Sequence, residues 1–574
     1  MILNALYDYY HRCGDLPQRG MELKEIGFLI VIDKEGHFIR FEDRRKNNKQ
    51  AQKFLVKKHV GRTSALVANH LYDNSAYVFG YSDKGDAKAQ YQTFKDKVKC
   101  IFELNPNDTD IIAVNKFYQY EHNDILMQMK KDPLWGEVEK NLNRKYSTFS
   151  FLLEGETKII AEKIELLDLD DDDSPSEKGQ VCLVSGERGV PVETTTATMI
   201  PGSQATAKLV SFQTSSGYDS YGKSKGANAP ISEGAEFAYT TALNHLLDSK
   251  SRNKFMVGSR TFLFWASKSD EAGKQAEESI FNMFGFSDQE DDPNKNIEQV
   301  RKVFTAIYSG EIKTTSEDKF YILGLAPNSA RIAVVYWAEI PLKEFAGTIC
   351  KHFEDMIVVD TRIEKKPYMS LRNILSTVTL GGKVSDATPN LPDAVVKSIF
   401  QGLPYPQTLF ASCIRRIRAE SGDKDKNAVH ITRAAIIKAY LNRIDNKYKI
   451  TREMNKDNTN SGYLCGRLFA VLERIQEISN RENDYFTNLR SNYMNSASTT
   501  PSVVFPTILN LSVHHSDKLD RKDVVQFERN KQEIIGKLIE FPNQLNLQDQ
   551  GRFFIGYYHQ RQDFFTKNED NNNE

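Results

Sequence analysis

At 574 residues the chain is too long for one hydrophobic core, and its 40% hydrophobic content suits globular packing in two or three domains. A net charge of −1 excludes a protein that binds nucleic acid over its whole surface, yet 76 basic residues allow local patches. No apolar run approaches the ~20 residues of a membrane span and no charged-then-apolar leader opens the sequence, so a cytoplasmic protein that does not contact membranes is expected.

The chain opens with Ile2, Leu3, Leu6 and Tyr10 at surface-helix spacing. Residues 27–41 carry two strand-like runs around Glu35-Gly36, a hairpin signal. From Arg40 to Arg62 nine basic residues face two acidic ones. Within this tract Arg44, Arg45, Lys46, Lys57 and Lys58 are candidates for seating a nucleic-acid backbone, the alternative being a solvated loop. Residues 71–81 read as strand–turn–strand with Asn74 at the turn. Helices are expected over 87–102 and 123–143, then a strand over 149–153. The acidic run 168–173 is a connector, because adjacent aspartates cannot all face one ion.

Between 217 and 230 the sequence sets Tyr221, Lys223, Lys225 and Asn228 among Gly217, Gly222 and Gly226, with Pro230 blocking helix. These side chains can stack, neutralise phosphate, or bond a base edge. Ser232 reads as the N-cap of a helix whose stripe is Ala235, Ala238, Ala242, Leu243, Leu246 and Leu247. The pattern is a polar finger mounted on a packed helix.

A buried strand over 254–267, amphipathic helices over 271–284 and 297–308, and a hairpin of 320–326 with 331–340 follow. Both hairpin runs are apolar on either face, which predicts a place inside the sheet. Beyond Leu391 helices dominate. Arg415, Arg416 and Arg418 share one helix, Arg433, Lys438 and Arg443 the next, and 401–454 holds eleven basic against five acidic residues. That surplus predicts a solvated face or an electrostatic surface near nucleic acid. Ser461 is the expected cap of a helix with the stripe Leu464, Leu468, Val471, Leu472 and Ile475, and further helices are expected near 482–495, 501–513, 522–540 and 548–566. The fold class is α+β: a mixed α/β N-terminal region with antiparallel hairpins, then a C-terminal helical bundle. Domains are expected at 1–170, 171–390 and 391–566, with 567–574 a disordered tail.

No catalytic set emerges. HExxH is missing, and His514-His515-Ser516-Asp517 without further spaced ligands reads as a polar helix end. The six cysteines (Cys13, Cys100, Cys182, Cys350, Cys413, Cys465) form no C-x-x-C pair, so reduced thiols are expected and neither a metal nor another cofactor.

The ordered segments MILNALYDYY, VCLVSG (181–186), LVSF (209–212), SYGKSKGANAP (220–230), FAYTTALNHLL (237–247), NSARIAVVYW (328–337) and SGYLCGRLFAVLERIQ (461–476) resemble the large subunit of the type I-C CRISPR interference complex, Cascade, over essentially the whole chain. The resemblance implies a non-catalytic DNA-binding and RNA-binding assembly subunit that recognises a protospacer-adjacent motif (PAM) on double-stranded DNA and begins strand separation for R-loop formation. Implied partners are the CRISPR guide RNA, the backbone and RNA-processing subunits, and a recruited helicase–nuclease. A helical small subunit made from an internal start is implied too, with Met454 as the candidate and 454–574 its product. Chemistry then assigns Lys223, Lys225, Asn228 and Tyr221, with Asn74 alongside, to motif reading and strand opening. The backbone-contact candidates are the tract named above and Arg415, Arg416 and Arg418. The rival readings are a stand-alone metal-dependent nuclease, which would cut DNA with magnesium alone, and a purely structural scaffold, which would ignore the flanking motif.

Overall fold

The computed structural model describes residues 1–47, 50–60, 66–83, 85–142, 144, 147–163, 179–212, 219, 221–284, 297–362, 369–423, 426–445, 447–480 and 488–566. The chain divides into two compact units, one of Cys13–Thr194 with Phe212–Ala242, the other of Met1–Arg12, Thr195–Ser211 and Leu243–Glu574. The architecture is α+β, as the periodicity predicts. The first helix, α1 (Ile2–Arg12), belongs to the second unit.

The first unit starts with β1 (Met21–Ile26), β2 (Phe28–Ile32), β3 (Phe38–Asp43), β4 (Arg45–Asn47) and β5 (Gln50–Lys57). Next come β6 (Tyr72–Asp73), the helices α2 (Ser75–Val78), α3 (Lys88–Leu104), α4 (Thr109–Phe117), α5 (His122–Lys130) and α6 (Trp135–Lys140), and β7 (Phe149–Leu153). One sheet has the order β3-β2-β7-β6 and a second the order β1-β5-β4. All five residues of β2 and of β7 are buried, which is why both read as unbroken apolar runs, and they pair in parallel with Phe28 stacked on Phe149. The β2–β3 hairpin turns at Gly36 (φ +83°), where a Cβ would strike the backbone of Phe117.

Three expectations are corrected here. Most of the described part of the basic tract is strand, β3 pairing antiparallel with β2 and β4 with β5, while Lys49 and Arg62 lie outside the described residues. Residues 71–81 do not return as a strand, because the Asn74 side chain accepts from Ala76 N and Tyr77 N and starts α2. The helix expected over 123–143 is two, broken at Asp132-Pro133, where Asp132 Oδ1 accepts from Leu134 N (2.7 Å). The unit also holds β8 (Gln180–Val181) paired with β9 (Arg188–Gly189), and most of α7 (Glu233–Leu247), within which the division between units falls. The acidic run 168–173 lies outside the described residues.

In the second unit β10 (Lys254–Val257), β11 (Arg260–Ala266), β12 (Lys319–Asn328) and β13 (Arg331–Pro341) form an antiparallel sheet in that order. β12 is central and buried as predicted. β13 is an edge strand with alternating burial, so its apolar composition overstated its coverage. Between β11 and β12 lie α8 (Glu271–Phe284) and α9 (Ile297–Ser309), and α10 (Leu342–Met356) follows β13.

Helices then continue as α11 (Leu371–Ser376), α12 (Leu391–Gln401), α13 (Gln407–Glu420), α14 (Ile431–Ile444), α15 (Ser461–Ser479), α16 (Leu489–Ala497), α17 (Pro501–Ser516), α18 (Arg521–Ile535) and α19 (Leu547–Asp563). The cap of α15 is Asn460, whose Oδ1 accepts from Tyr463 N (3.1 Å), and not Ser461. The predicted stripe from Leu464 to Ile475 is buried. α15 and α19 press close because Gly466 and Gly556 carry no Cβ; one at Gly466 would overlap Phe553 O, and one at Gly556 would overlap Tyr463 O. This core also holds a charge: Arg467 is 1% exposed, with Nη2 2.7 Å from Glu533 Oε2 and Nε 3.1 Å from Gln560 Oε1. Tyr557 donates to Glu473 (2.6 Å), and Tyr463 bonds His559 (3.0 Å).

Candidate nucleic-acid interface

The finger is held at its base and open at its tip. Val192 N donates to Ile231 O (2.9 Å) and Leu183 N to Pro230 O (2.9 Å), which ties the segment before α7 to residues 183–192. Gly226 lies where a Cβ would overlap Val192 O, so only glycine allows this approach. The Ser232 hydroxyl accepts from Ala235 N (3.4 Å), as expected of a cap, and Ala235, Ala238 and Ala242 of α7 are buried. Above that base the chain turns at Tyr221 (φ +54°), Gly222 (φ +68°) and Lys225 (φ +47°) and makes a short 3-10 turn over Lys225–Asn228. Tyr221 is 100% exposed, and Lys223 is exposed beside it. Gly217 and Ser220 lie outside the described residues.

The four candidate side chains of the finger differ in what they have left to offer. Lys223 makes no ion pair among the described residues. Lys225 Nζ sits 2.6 Å from Glu193 Oε2, and its backbone N donates to Asp219 Oδ1 (3.2 Å). The ammonium holds the Glu193 carboxyl below the usual carboxylate range. Asn228 Nδ2 donates to Lys223 O (2.9 Å), which pins the loop and turns the amide's remaining donor and acceptor outward. Glu193 was not legible as part of this set, since thirty-two positions separate it from Lys225 and the backbone bonds that tie 183–193 to 226–232 bring them together. Asn74 is exposed, but its carbonyl oxygen is committed to capping α2.

The backbone-contact candidates separate in the same way. Arg44 pairs with Glu42 (2.5 Å), and Arg45 pairs with Asp43 (2.6 Å) and Glu137 (3.1 Å) while lying over the Phe28 ring. Those carboxylates raise the Arg45 pKa further above its ordinary range. Lys46 is exposed on β4, Lys57 is half-buried on β5, and the Lys58 ammonium lies 6.0 Å from the Phe237 ring centre of α7. On α13, Arg415 and Arg418 point to solvent, whereas Arg416 pairs with Glu420. The electrostatic surface expected of the next helix is corrected. Arg433 bonds Glu420 and the carbonyls of Thr377 and Ala428, Lys438 donates to Glu354 O (2.9 Å) and Asp355 O (3.0 Å), and Arg443 holds Asp355 (2.6 Å). All three brace the interior. The two arginines hold the Glu420 carboxyl at about 2 against its desolvation, while burial brings the Lys438 ammonium down to about 8.

The finger, Asn74 and the 40–58 tract belong to the first unit, and the α13 arginines to the second. His515 ends α17 with its Nδ1 3.1 Å from Ser479 Oγ. Among the described residues no three His, Cys, Asp or Glu side chains are grouped to hold a metal ion, and no helix is long and apolar enough to cross a membrane.

Residues 6–565 match a family model described as CRISPR-associated protein (Cas_Csd1). No curated protein matches the chain.

Proposed function

Because the chain belongs to the Cas_Csd1 family of CRISPR-associated proteins, we propose that it is the non-catalytic large subunit of a type I-C surveillance complex, reading the protospacer-adjacent motif and starting strand separation. The observation that carries this reading is the finger: an exposed tyrosine and lysine at its tip, an asparagine pinned by its own loop, and a glycine-clamped base on α7. Exchanging a DNA duplex for an RNA–DNA duplex is nearly balanced, so the first opened pairs need an outside source of free energy. Lys223 supplies phosphate attraction, Asn228 a donor and acceptor for an A·T-rich minor groove, and Tyr221 a ring able to stack on an unpaired base. Lys225 acts through Glu193 to set the loop, and reaches DNA only if that pair opens. Asn74 supplies at most its amide N–H beside the cap, and the exposed Lys46, Lys58, Arg415 and Arg418 supply backbone charge.

The complex supplies the guide RNA, the backbone and RNA-processing subunits, and the helicase–nuclease that cuts. A helical small subunit starting at Met454 fits the C-terminal architecture. The side-chain bonds of Arg467, Tyr463 and Glu473 run to Asn455 and to partners between 533 and 561, so the product would carry its own polar core. In the expressed native-codon complex, mass spectrometry should find a chain beginning at Met454; finding full-length product alone contradicts that start. The subunit role is tested by binding of the assembled complex to duplexes with different flanking trinucleotides. Asn228→Ala should flatten the preference among them, and an unchanged ranking removes Asn228 from motif reading.

A further inference from the structure

We infer that the segment 180–193, through the Cys182 sulfur and the Glu193 carboxylate, is the platform that sets where the finger stands, which makes both of them positioning residues for motif reading; this rests on the proposed function. Neither side chain has to touch DNA for that role.

The sulfur is the centre of the joint. Cys182 is 2% exposed, and its Sγ accepts from Val184 N (3.4 Å), Ser185 N (3.5 Å) and Ser232 N (3.3 Å). Two of those amides belong to its own turn, which closes as Cys182 N donates to Glu187 O (2.8 Å) and Gly186 N to Cys182 O (3.0 Å). The third belongs to the residue that caps α7, so one sulfur joins the turn to the helix that carries the finger. Against the desolvation of its surroundings, hydrogen bonds from Ser185 and Ser232 bring the thiol down to about 7, which favours the stronger acceptor, the thiolate. Separations of 3.3–3.5 Å suit a sulfur and exceed the usual N–H···O range, so a hydroxyl on its shorter C–O bond could not serve all three amides.

The carboxylate sets the other end. Gly226 N donates to Glu193 O (3.3 Å), and the Glu193 side chain holds the Lys225 ammonium (2.6 Å) one residue earlier. Lys225 has φ +47°, a left-handed backbone that a lysine keeps only under outside bonds, and its own N is tied to Asp219 Oδ1 (3.2 Å). Between these two points Leu183 N and Val192 N donate to Pro230 O and Ile231 O (2.9 Å each). The segment therefore fixes the root of the finger at Ser232 and the start of its 3-10 turn at Lys225, and the exposed tip of Tyr221 and Lys223 projects from a two-point mount. Removing either side chain loosens the tip without removing a group that offers itself to DNA.

The test is binding of the assembled complex to duplexes with different flanks, and to the same targets with the guide-pairing bases already unpaired. Cys182→Ala should lower the ratio between best and worst flank about tenfold, the discrimination of about one base pair, and leave binding to the unpaired targets unchanged. Cys182→Ser, which keeps part of the amide set, should fall between it and the native chain. Glu193→Gln should flatten the preference while tightening binding to every flank, and steepen the slope of log K against log salt by ~0.9, the one phosphate contact that the released Lys225 gains. Weaker binding to all targets together, unpaired ones included, is what a merely structural loss would give, and it overturns the assignment. A native flank ratio in both Cys182→Ala and Glu193→Gln also overturns it and leaves motif reading standing. Absence of any flank preference in the native complex contradicts motif reading instead, and hydrogen exchange then decides the platform. In Cys182→Ala the amides of 221–232 should exchange faster while those of 238–246 keep their rate; unchanged exchange at 221–232 removes the platform.

Discussion

His352 and His559 are buried in the second unit, and burial with neighbouring cations brings both pKa values down to about 3; His430 is brought to about 4. All three therefore fold neutral. As pH falls through 6.5 the unfolded chain takes up protons that the native state refuses, so stability is full above pH ~7 and declines below it. At pH 5 each of the two fully buried histidines costs about 2 kcal/mol. Below pH ~4.5 the loss of the depressed Glu420 carboxylate adds to this. Melting temperatures from pH 8 to pH 4.5 should fall steadily below pH 6.5, and a flat profile contradicts neutral burial. Arg467 gives a second test at this scale. Arg467→Met removes a partner of Gln560 and of Glu533, which keeps Lys537 (2.8 Å), and chemical denaturation should show a loss of about 1–3 kcal/mol.

Elements were legible in the sequence where periodicity alone decides them. α8, α9 and the bundle helices announce themselves by apolar stripes, and the β2–β3 hairpin by its turn residues. Elements set by one side-chain bond were not. Asn74 diverts a strand into α2, Asp108 caps α4 by accepting from Asp110 N (2.9 Å) and Ile111 N (3.0 Å), and Asp132 with Pro133 splits α5 from α6. Charge runs were the least legible, because a solvated lysine and one satisfied by distant carbonyls look alike in sequence. Lys438 finds the Asp355 carbonyl from eighty-three positions away. The cap of α15 can be checked directly. Asn460→Ala should cost about 1 kcal/mol or more, since Asn460 caps the helix and also donates to Asp549 (3.1 Å), whereas Ser461→Ala should cost under about 0.5 kcal/mol. Equal losses would mean the cap is shared.

For the molecule as a whole, composition bounded the function without giving it. A near-zero net charge hides exposed cations such as Lys223 and Arg415, and only the folded chain separates these from the arginines and lysines that brace the interior. The chain belongs to a family of CRISPR-associated proteins, and the open tip of the finger is where the proposed reading of flanking DNA would take place. The most direct measurement is equilibrium binding of the assembled complex to a library of duplexes with randomised flanking bases, with the native chain and with Lys223→Ala/Asn228→Ala. The account predicts a steep preference among flanks for the native chain and a nearly flat profile with weaker binding for the variant. A preference that survives the double substitution unchanged would contradict it.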